Sequence, residues 1–405
     1  MFLNWILGSL SVLSCALTLW QWLAARRFPL HQRSANTNSS PAITLLKPLK
    51  GRDAETEACL RSWFLQEYSA SVQILFGVAG ANDPVCALVA ELISEHPKAD
   101  ATLVICSESL GPNAKISTLI QLERQAKNEI LIISDADVRV PVDFLATAVQ
   151  PLENAEVGLV NCFYRLANPS TLAMQWEAIA INSDFWSQVL QSRTLKPLDF
   201  ALGAAMATRR EQIKQIGGFE SLVDFLADDY QLGNKIARAG KQIVLSPIVV
   251  ECWESPMNWK RVWSHQLRWA RTIRVCQPTP FFFSILSNAT LWPVLFSAAL
   301  LAEHHRIWFV PISIFLPVRI QAALKMQEWL TRDLRHYAWF WLVPIKDLLN
   351  AAIWLLAFVG NKIEWRGEKF RVLPGGKLER IAEVNLQTER ANQEFVSQSR
   401  RDVCK

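Results

Sequence analysis

The sequence predicts an α/β fold, a parallel sheet covered by helices on both faces, joined to one N-terminal and two or three C-terminal transmembrane helices. Three observations predict it: an uncharged apolar run at the start, an alternation of strand-like and helix-like segments after it, and a return of apolar runs beyond residue 275. Apolar residues make up 51% and charged residues 20%, and the apolar ones gather at the two ends of the chain.

Residues 2–25 read FLNWILGSLSVLSCALTLWQWLAA, without a charge. As a helix they reach ~36 Å, enough to span a bilayer. A cleaved signal peptide carries its positive charge before the apolar core, whereas Arg26, Arg27 and Arg33 follow this one. The basic flank predicts that the next domain is cytosolic. Residues 34–41, SANTNSSP, form a polar linker.

ITLLKPL (43–49) then reads as a strand, 54–67 as a helix, VQILFGVA (72–79) as a strand and PVCALVAELISEH (84–96) as a helix. ATLVIC (101–106), KISTLIQLERQAK (115–127) and EILIIS (129–134) continue as strand, helix and strand. Near-continuous apolar strands alternating with helices imply a parallel sheet buried on both faces. Ligands bind such sheets at the carboxyl ends of the strands.

The formal charge of +5 is too mild for a nucleic-acid binder and suits a surface lying against an anionic leaflet. Eight cysteines are scattered with no CxxC pair, which excludes a zinc or redox site of that spacing. Cys106 and Cys162 sit in apolar runs and read as buried free thiols.

Residues 281–303 are apolar up to Glu303, 307–324 carry two prolines and Arg319, and 338–360 are interrupted by Lys346, Asp347 and Asn350. Three C-terminal spans after a cytosolic domain would leave the tail outside, yet NKIEWRGEKFR looks basic and cytosolic. One segment is therefore expected to be re-entrant or interfacial.

Three places carry chemistry. Asp135 and Asp137 follow the strand EILIIS, and a D-x-D at a strand end aims carboxylates at the ligand edge. Mg²⁺ or Mn²⁺ is held by such oxygens together with substrate phosphates, although a surface turn can carry the same motif. Asp228 and Asp229 open a helix, where acids either cap and match the dipole, or one caps while the other serves as general base. WKRVWSHQLRWARTIR (259–274) mixes cations with Trp, as an interfacial amphipathic helix does. His265, Arg268 and Trp269 could also clamp a diphosphate, for which the guanidinium fork is suited.

This order of motifs resembles inverting glycosyltransferases of the GT-A, Rossmann-like fold. It is most similar to the ceramide glucosyltransferase family, glycosyltransferase family 21, including its bacterial branch that glycosylates hopanoids. The resemblance rests on ITLLKPLKG (43–51), Gly111-x-Asn113-x-Lys115, SDADVRV, LADDYQLG, HQLRWARTIR, PIKDLLNAAIW (344–354) and WRGEKFRV (365–372), and covers nearly all of the chain from residue 42. It implies an N-terminal transmembrane helix (1–26), a cytosolic catalytic domain (42–255), an amphipathic interfacial helix with the xxxRW motif (256–275), a C-terminal membrane region (281–360) and a basic cytosolic-type tail (361–405). It further implies an integral membrane enzyme of the bacterial inner membrane or its equivalent. That enzyme would move a hexose from a UDP-sugar to the hydroxyl of ceramide or a hopanoid with Mg²⁺ or Mn²⁺.

The implied roles are Asp229 as catalytic base with Asp228 beside it, Asp137 on the metal, and Asp135 on nucleotide and metal. Lys115, His265, Arg268 and Trp269 would meet the donor. The chain departs from the pattern twice. His265 stands where the family has Gln or Arg. Gly80 falls where the family has its first aspartate, so either Asp83 substitutes or the carboxylate that reads the base is lost. A processive polysaccharide synthase and a non-catalytic lipid-binding scaffold are the other readings. The first needs more spans for a polymer channel, and the second leaves the acidic set without a use.

Overall fold

The computed structural model describes residues 1–33, 40–365 and 368–381. Most of the linker, Arg366, Gly367 and the tail from 382, with Cys404, lie outside the described residues.

Eight strands form the main sheet: β1 (Ile43–Pro48), β2 (Val72–Val78), β3 (Asp100–Ile105), β4 (Ile130–Ser134), β5 (Val138–Arg139), β6 (Val157–Leu166), β7 (Ala205–Arg209) and β8 (Gln242–Cys252). They lie in the order β3-β2-β1-β4-β7-β6-β8-β5. β1, β2, β3 and β4 are parallel, as the alternation predicts. The expectation of a purely parallel sheet needs correction: β7 runs antiparallel between β4 and β6, and β5 runs antiparallel to β8. Both kinds of strand read as apolar runs when covered on two faces, so the sequence pattern does not separate them.

Register explains the core. Leu45 lies beside Ile74 and Ile132, and these three face one apolar cluster. Leu46 lies beside Leu75 and Ile133, and these face the other. Successive residues on a strand alternate between faces, so both faces need apolar cover. The helices Val85–Glu95 and Ala114–Glu123 supply it. The helix expected over 54–67 is only Thr56–Arg61.

The N-terminal helix Phe2–Arg26 is inside out for a helix in water. Ser11, Ser14, Thr18 and Gln21 are buried, while Phe2, Trp5 and Val12 are exposed. Lipid as the outer solvent accounts for this, because small polar residues then serve helix contacts. Its last turn, Ala24 and Ala25, joins the core of the sheet domain.

Beyond Trp259–Cys276 the helices are Pro278–Phe283, Leu291–Ala302, Val310–Thr331 and Leu342–Ala357. Only Phe2–Arg26 is by itself long and apolar enough to cross a membrane among the described residues. Pro278–Ser287 and Leu291–Ala302 meet at 51°, the geometry of a broken span or re-entrant loop. The segments expected at 307–324 and 338–360 are Val310–Thr331, with Pro317 inside it, and the shorter Leu342–Ala357.

The segment after the last of these helices is folded. Three strands, β9 (Lys362–Trp365), β10 (Glu368–Val372) and β11 (Leu378–Arg380), form a second, antiparallel sheet. It docks on the main domain: Leu226 donates its N–H to the Gly376 carbonyl at 3.1 Å, and Leu378 donates to Asp224 at 2.7 Å. Ile363, Phe370 and Val372 close a small core with Leu226.

Candidate active site

The site lies at the carboxyl ends of β1, β2 and β4. Lys115 stands at the start of the helix Ala114–Glu123, which Asn113 caps by accepting the Ile116 N–H at 3.2 Å. Asn113 also donates to Asp228 Oδ1 at 3.3 Å and to the Phe225 carbonyl at 2.8 Å. A Cβ on Gly111 would meet Val223 at 2.6 Å, so this turn needs glycine for its close approach. The Gly111-x-Asn113-x-Lys115 spacing thus places a lysine between two carboxylates: Lys115 Nζ is 2.7 Å from Asp135 and 3.0 Å from Asp228. Burial alone would lower the Lys115 pKa, but the two acids overcome it and hold it above the ordinary lysine value.

Neither aspartate is the N-cap residue, which differs from both readings of the sequence; Ala227 holds that position, and within the first turn Asp229 Oδ1 accepts the Tyr230 N–H at 2.7 Å. Asp228 faces Lys115 instead. Asp229 is half-buried and lies against Gly203, where a Cβ would stand 2.6 Å from its Oδ2. The next residue of that loop, Ala204, accepts the Asp135 N–H at 3.1 Å. The base candidate and the D-x-D are thereby held by one loop. Burial, then the Asp228 charge, pushes the Asp229 carboxyl up to about 7. Gly203→Ala is expected to displace Asp229 and cut turnover at least tenfold, with thermal stability nearly unchanged. Unaltered steady-state turnover would count against this placement.

Asp137 is pushed up to about 6, by burial first and then by the Asp135 charge. Glu254, which the sequence did not single out, is pushed up to about 8 by burial and then by Asp137. These carboxylates repel one another, and hard oxygen ligands of this kind fit Mg²⁺ or Mn²⁺. No group of three or more His, Cys, Asp or Glu among the described residues closes a metal cage.

Lys47 is a second residue the sequence left unmarked. It is buried at the end of β1 and donates to Ser134 Oγ at 3.2 Å and to the Asp135 carbonyl, with Trp63 beneath its ammonium at 5.1 Å. Burial, opposed by nearby acids, lowers its pKa to about 8. A lysine inside the apolar text ITLLKPL was the available signal, since a buried cation needs a reason.

Asp83 accepts the Gly51 N–H with both oxygens at 3.0 Å and the Val85 N–H at 3.0 Å. It follows β2, two strands from Asp135 along the same edge, and ties the β1 loop to the next helix. Gly80 lies in open space.

The helix Trp259–Cys276 brings in the remaining candidates. His265 Nδ1 lies 2.6 Å from Glu177 Oε1, which also accepts from Gln266 at 2.9 Å. Glu177 is buried and its Oε2 has no hydrogen-bond partner. Trp269 sets its ring edge-on to His265 at 4.8 Å. Arg268 is half-buried on the same helix. Arg271 is turned away, bonding the Val359 carbonyl at 2.9 Å. The structure thus links Asp228, Lys115, Asp135, Asp137 and Glu254 by contact or charge. It places the His265 and Trp269 helix beside them through Glu177, whose charge also acts on Glu254.

The profile of glycosyl transferase family 21 matches residues 6–378. Ceramide glucosyltransferase 3 of Caenorhabditis elegans is 20% identical over 376 residues, 88% of this chain and 78% of that protein. Ceramide glucosyltransferase of Candida albicans is 35% identical over 119 residues, 26% of this chain and 22% of that protein. The solved mannosyltransferase PcManGT from Pyrobaculum calidifontis, in complex with GDP-Man and Mn²⁺, is 22% identical. It covers 85% of this chain and 99% of its own, at a TM-score of 0.47.

Proposed function

The chain belongs to glycosyl transferase family 21, and from that premise we propose that it transfers a hexose from a UDP-sugar to a lipid hydroxyl, inverting the anomeric centre on a GT-A scaffold. The observation that carries the reading is Asp229, a half-buried carboxylate with its pKa raised to about 7, beside the loop that holds Asp135. A base near neutrality takes a proton from a hydroxyl more readily than an ordinary aspartate.

Asp229 removes the acceptor proton as the oxygen attacks the anomeric carbon. A single displacement with one base and no covalent sugar intermediate inverts that carbon. Lys115 orders Asp135 and Asp228, and Arg268, with His265 and Trp269, stands on the helix that would cover the departing diphosphate. Asp137 and Asp135 would hold Mg²⁺ or Mn²⁺, which neutralises charge on the leaving diphosphate when bound. Asp83 would read the base only after releasing Gly51, which favours a structural role for it here.

The inside-out N-terminal helix supports membrane attachment, with ceramide as the acceptor suggested by the relatives' names. Docking of β9–β11 beside Asp224 and Leu226 implies an even number of crossings between the catalytic domain and the tail. With Arg26 and Arg27 after the first span, that common side is the cytosol.

A raised carboxyl pKa adds stability fully below the ordinary value of ~4 and loses it as pH rises through the folded value. For Asp137 and Glu254 that loss falls between pH 4 and about 8. Mn²⁺ should therefore raise the melting temperature by a few degrees at pH 8, and by less at pH 5. The gain should vanish in Asp137→Asn, and equal shifts in both proteins would remove the metal from this site.

The reading is tested with purified membranes, radiolabelled UDP-glucose or UDP-N-acetylglucosamine, Mn²⁺, and ceramide or a polyhydroxylated hopanoid. A labelled, organic-soluble product from one acceptor is expected. A long polymer, or donor binding without any lipid product, would overturn it.

A further inference from the structure

Four charged side chains lie together among the apolar helices. Arg319 donates to both oxygens of Asp347 at 2.8 Å and to both oxygens of Asp184 at 2.9 Å. Lys346 pairs with Asp184 and stands 3.1 Å from Asp347, which also accepts from Thr290 at 2.6 Å. Two carboxylates meet two cations, so the cluster carries no net charge and each charge is taken up within it.

This cluster forms one wall of a cavity of about 260 Å³. The volume lies just under the ~300–1,000 Å³ of ordinary small-molecule sites, so it suits a head group rather than a whole lipid. Gln188 and Asn350 line it, and their side-chain amides make no hydrogen bond with the described residues. The Asn350 amide is half-buried there and costs free energy unless a polar ligand or water meets it, while the exposed Gln188 amide stands at the cavity with its donors and acceptor open. Asp184 and Phe185 reach the cavity from a π-helical turn, Ala180–Phe185, a local distortion frequent at functional sites.

The cavity adjoins the acids. Trp269 lines it and touches His265. Phe185 lines it and packs on Tyr164 at 5.6 Å, a residue that feels the charges of Asp229 and Asp135.

We propose that this cavity seats the polar head of the lipid acceptor and selects a neutral head bearing hydroxyl or amide groups. This rests on the lipid-acceptor reading above. The two cations are already matched in charge by two carboxylates, so a phosphorylated head would bring in negative charge that the cluster does not neutralise. A neutral head satisfies Gln188 and Asn350 and leaves the ion pairs intact.

The test uses the full chain in phosphatidylcholine nanodiscs with two neutral photoreactive probes, a ceramide and a hopanetetrol, each with a diazirine beside the head. At least one is expected to label peptides containing 184–188 and 346–354. Unlabelled neutral lipid should compete at least tenfold better than ceramide 1-phosphate. Asn350→Leu and Gln188→Leu should each cut labelling at least fivefold and raise the acceptor KM about tenfold, with the donor KM within twofold. Labelling elsewhere, equal competition by ceramide 1-phosphate, or wild-type labelling in both variants would overturn the proposal. Cavity labelling without sugar transfer would instead sink the lipid-acceptor reading, and transfer without cavity labelling would sink only this one.

Discussion

Asp229→Asn is expected to lower sugar transfer by about 10²–10⁴-fold, the usual worth of a positioned general base, while nucleotide-sugar binding stays within about twofold. The amide keeps the shape against Gly203 and the hydrogen bond from the Tyr230 N–H, 2.7 Å in the native chain. What it loses is the ability to take a proton. The pH profile offers a second readout. The Asp229 carboxyl is held at about 7, so the active, ionised form grows as pH rises and the rate should climb through a midpoint near 7. The Asp228 charge is the second cause of that elevation, so Asp228→Asn should move the midpoint toward acid as well as lower the rate. An Asp229→Asn protein that folds normally and transfers sugar at the native rate would end this assignment. A midpoint unmoved by Asp228→Asn would separate the two aspartates.

Lys115→Met is expected to destabilise the protein by about 3–5 kcal/mol, because removing one partner of a buried ion pair strands the other. Here one ammonium serves two carboxylates, at 2.7 Å and 3.0 Å, and Lys115 is buried. The loss should be read by denaturant unfolding, with transfer falling at least 100-fold in the folded fraction. Pairing Lys115→Met with Asp228→Asn should restore part of the stability and none of the activity, since one stranded charge is gone but Asp135 is still unanchored. Native stability in Lys115→Met would show that solvent reaches both carboxylates and that the lysine is dispensable to the fold.

Much of this was legible in short stretches of sequence. Strand-length apolar runs ending in Lys-Pro or Ser-Asp located β1 and β4 and put Asp135 and Asp137 at the ligand edge, because strand periodicity and chain direction are local properties. An uncharged apolar run followed by arginines marked the N-terminal helix Phe2–Arg26 for the same reason. The motif set from Gly111 to Trp269 named the family that the profile match then bore out.

Other features exist only once distant segments meet. The direction of β7 depends on its neighbours β4 and β6, and an apolar strand reads alike in either direction. Whether Asp228 and Asp229 cap a helix or face a cleft was open in the sequence, and Lys115 and Gly203 answer it from far away in the chain. Glu177 and Glu254 read as ordinary polar residues, and only the apolar neighbours of Lys47 set it apart, because burial and unmatched charge are properties of surroundings. The cluster of Asp184, Arg319, Lys346 and Asp347 is assembled from three separate helical segments. Sequence alone determined the family and the strand edge at which the candidate acids stand. Tertiary structure decided which charges share a space, because the cost of a charge depends on the partners that folding brings to it.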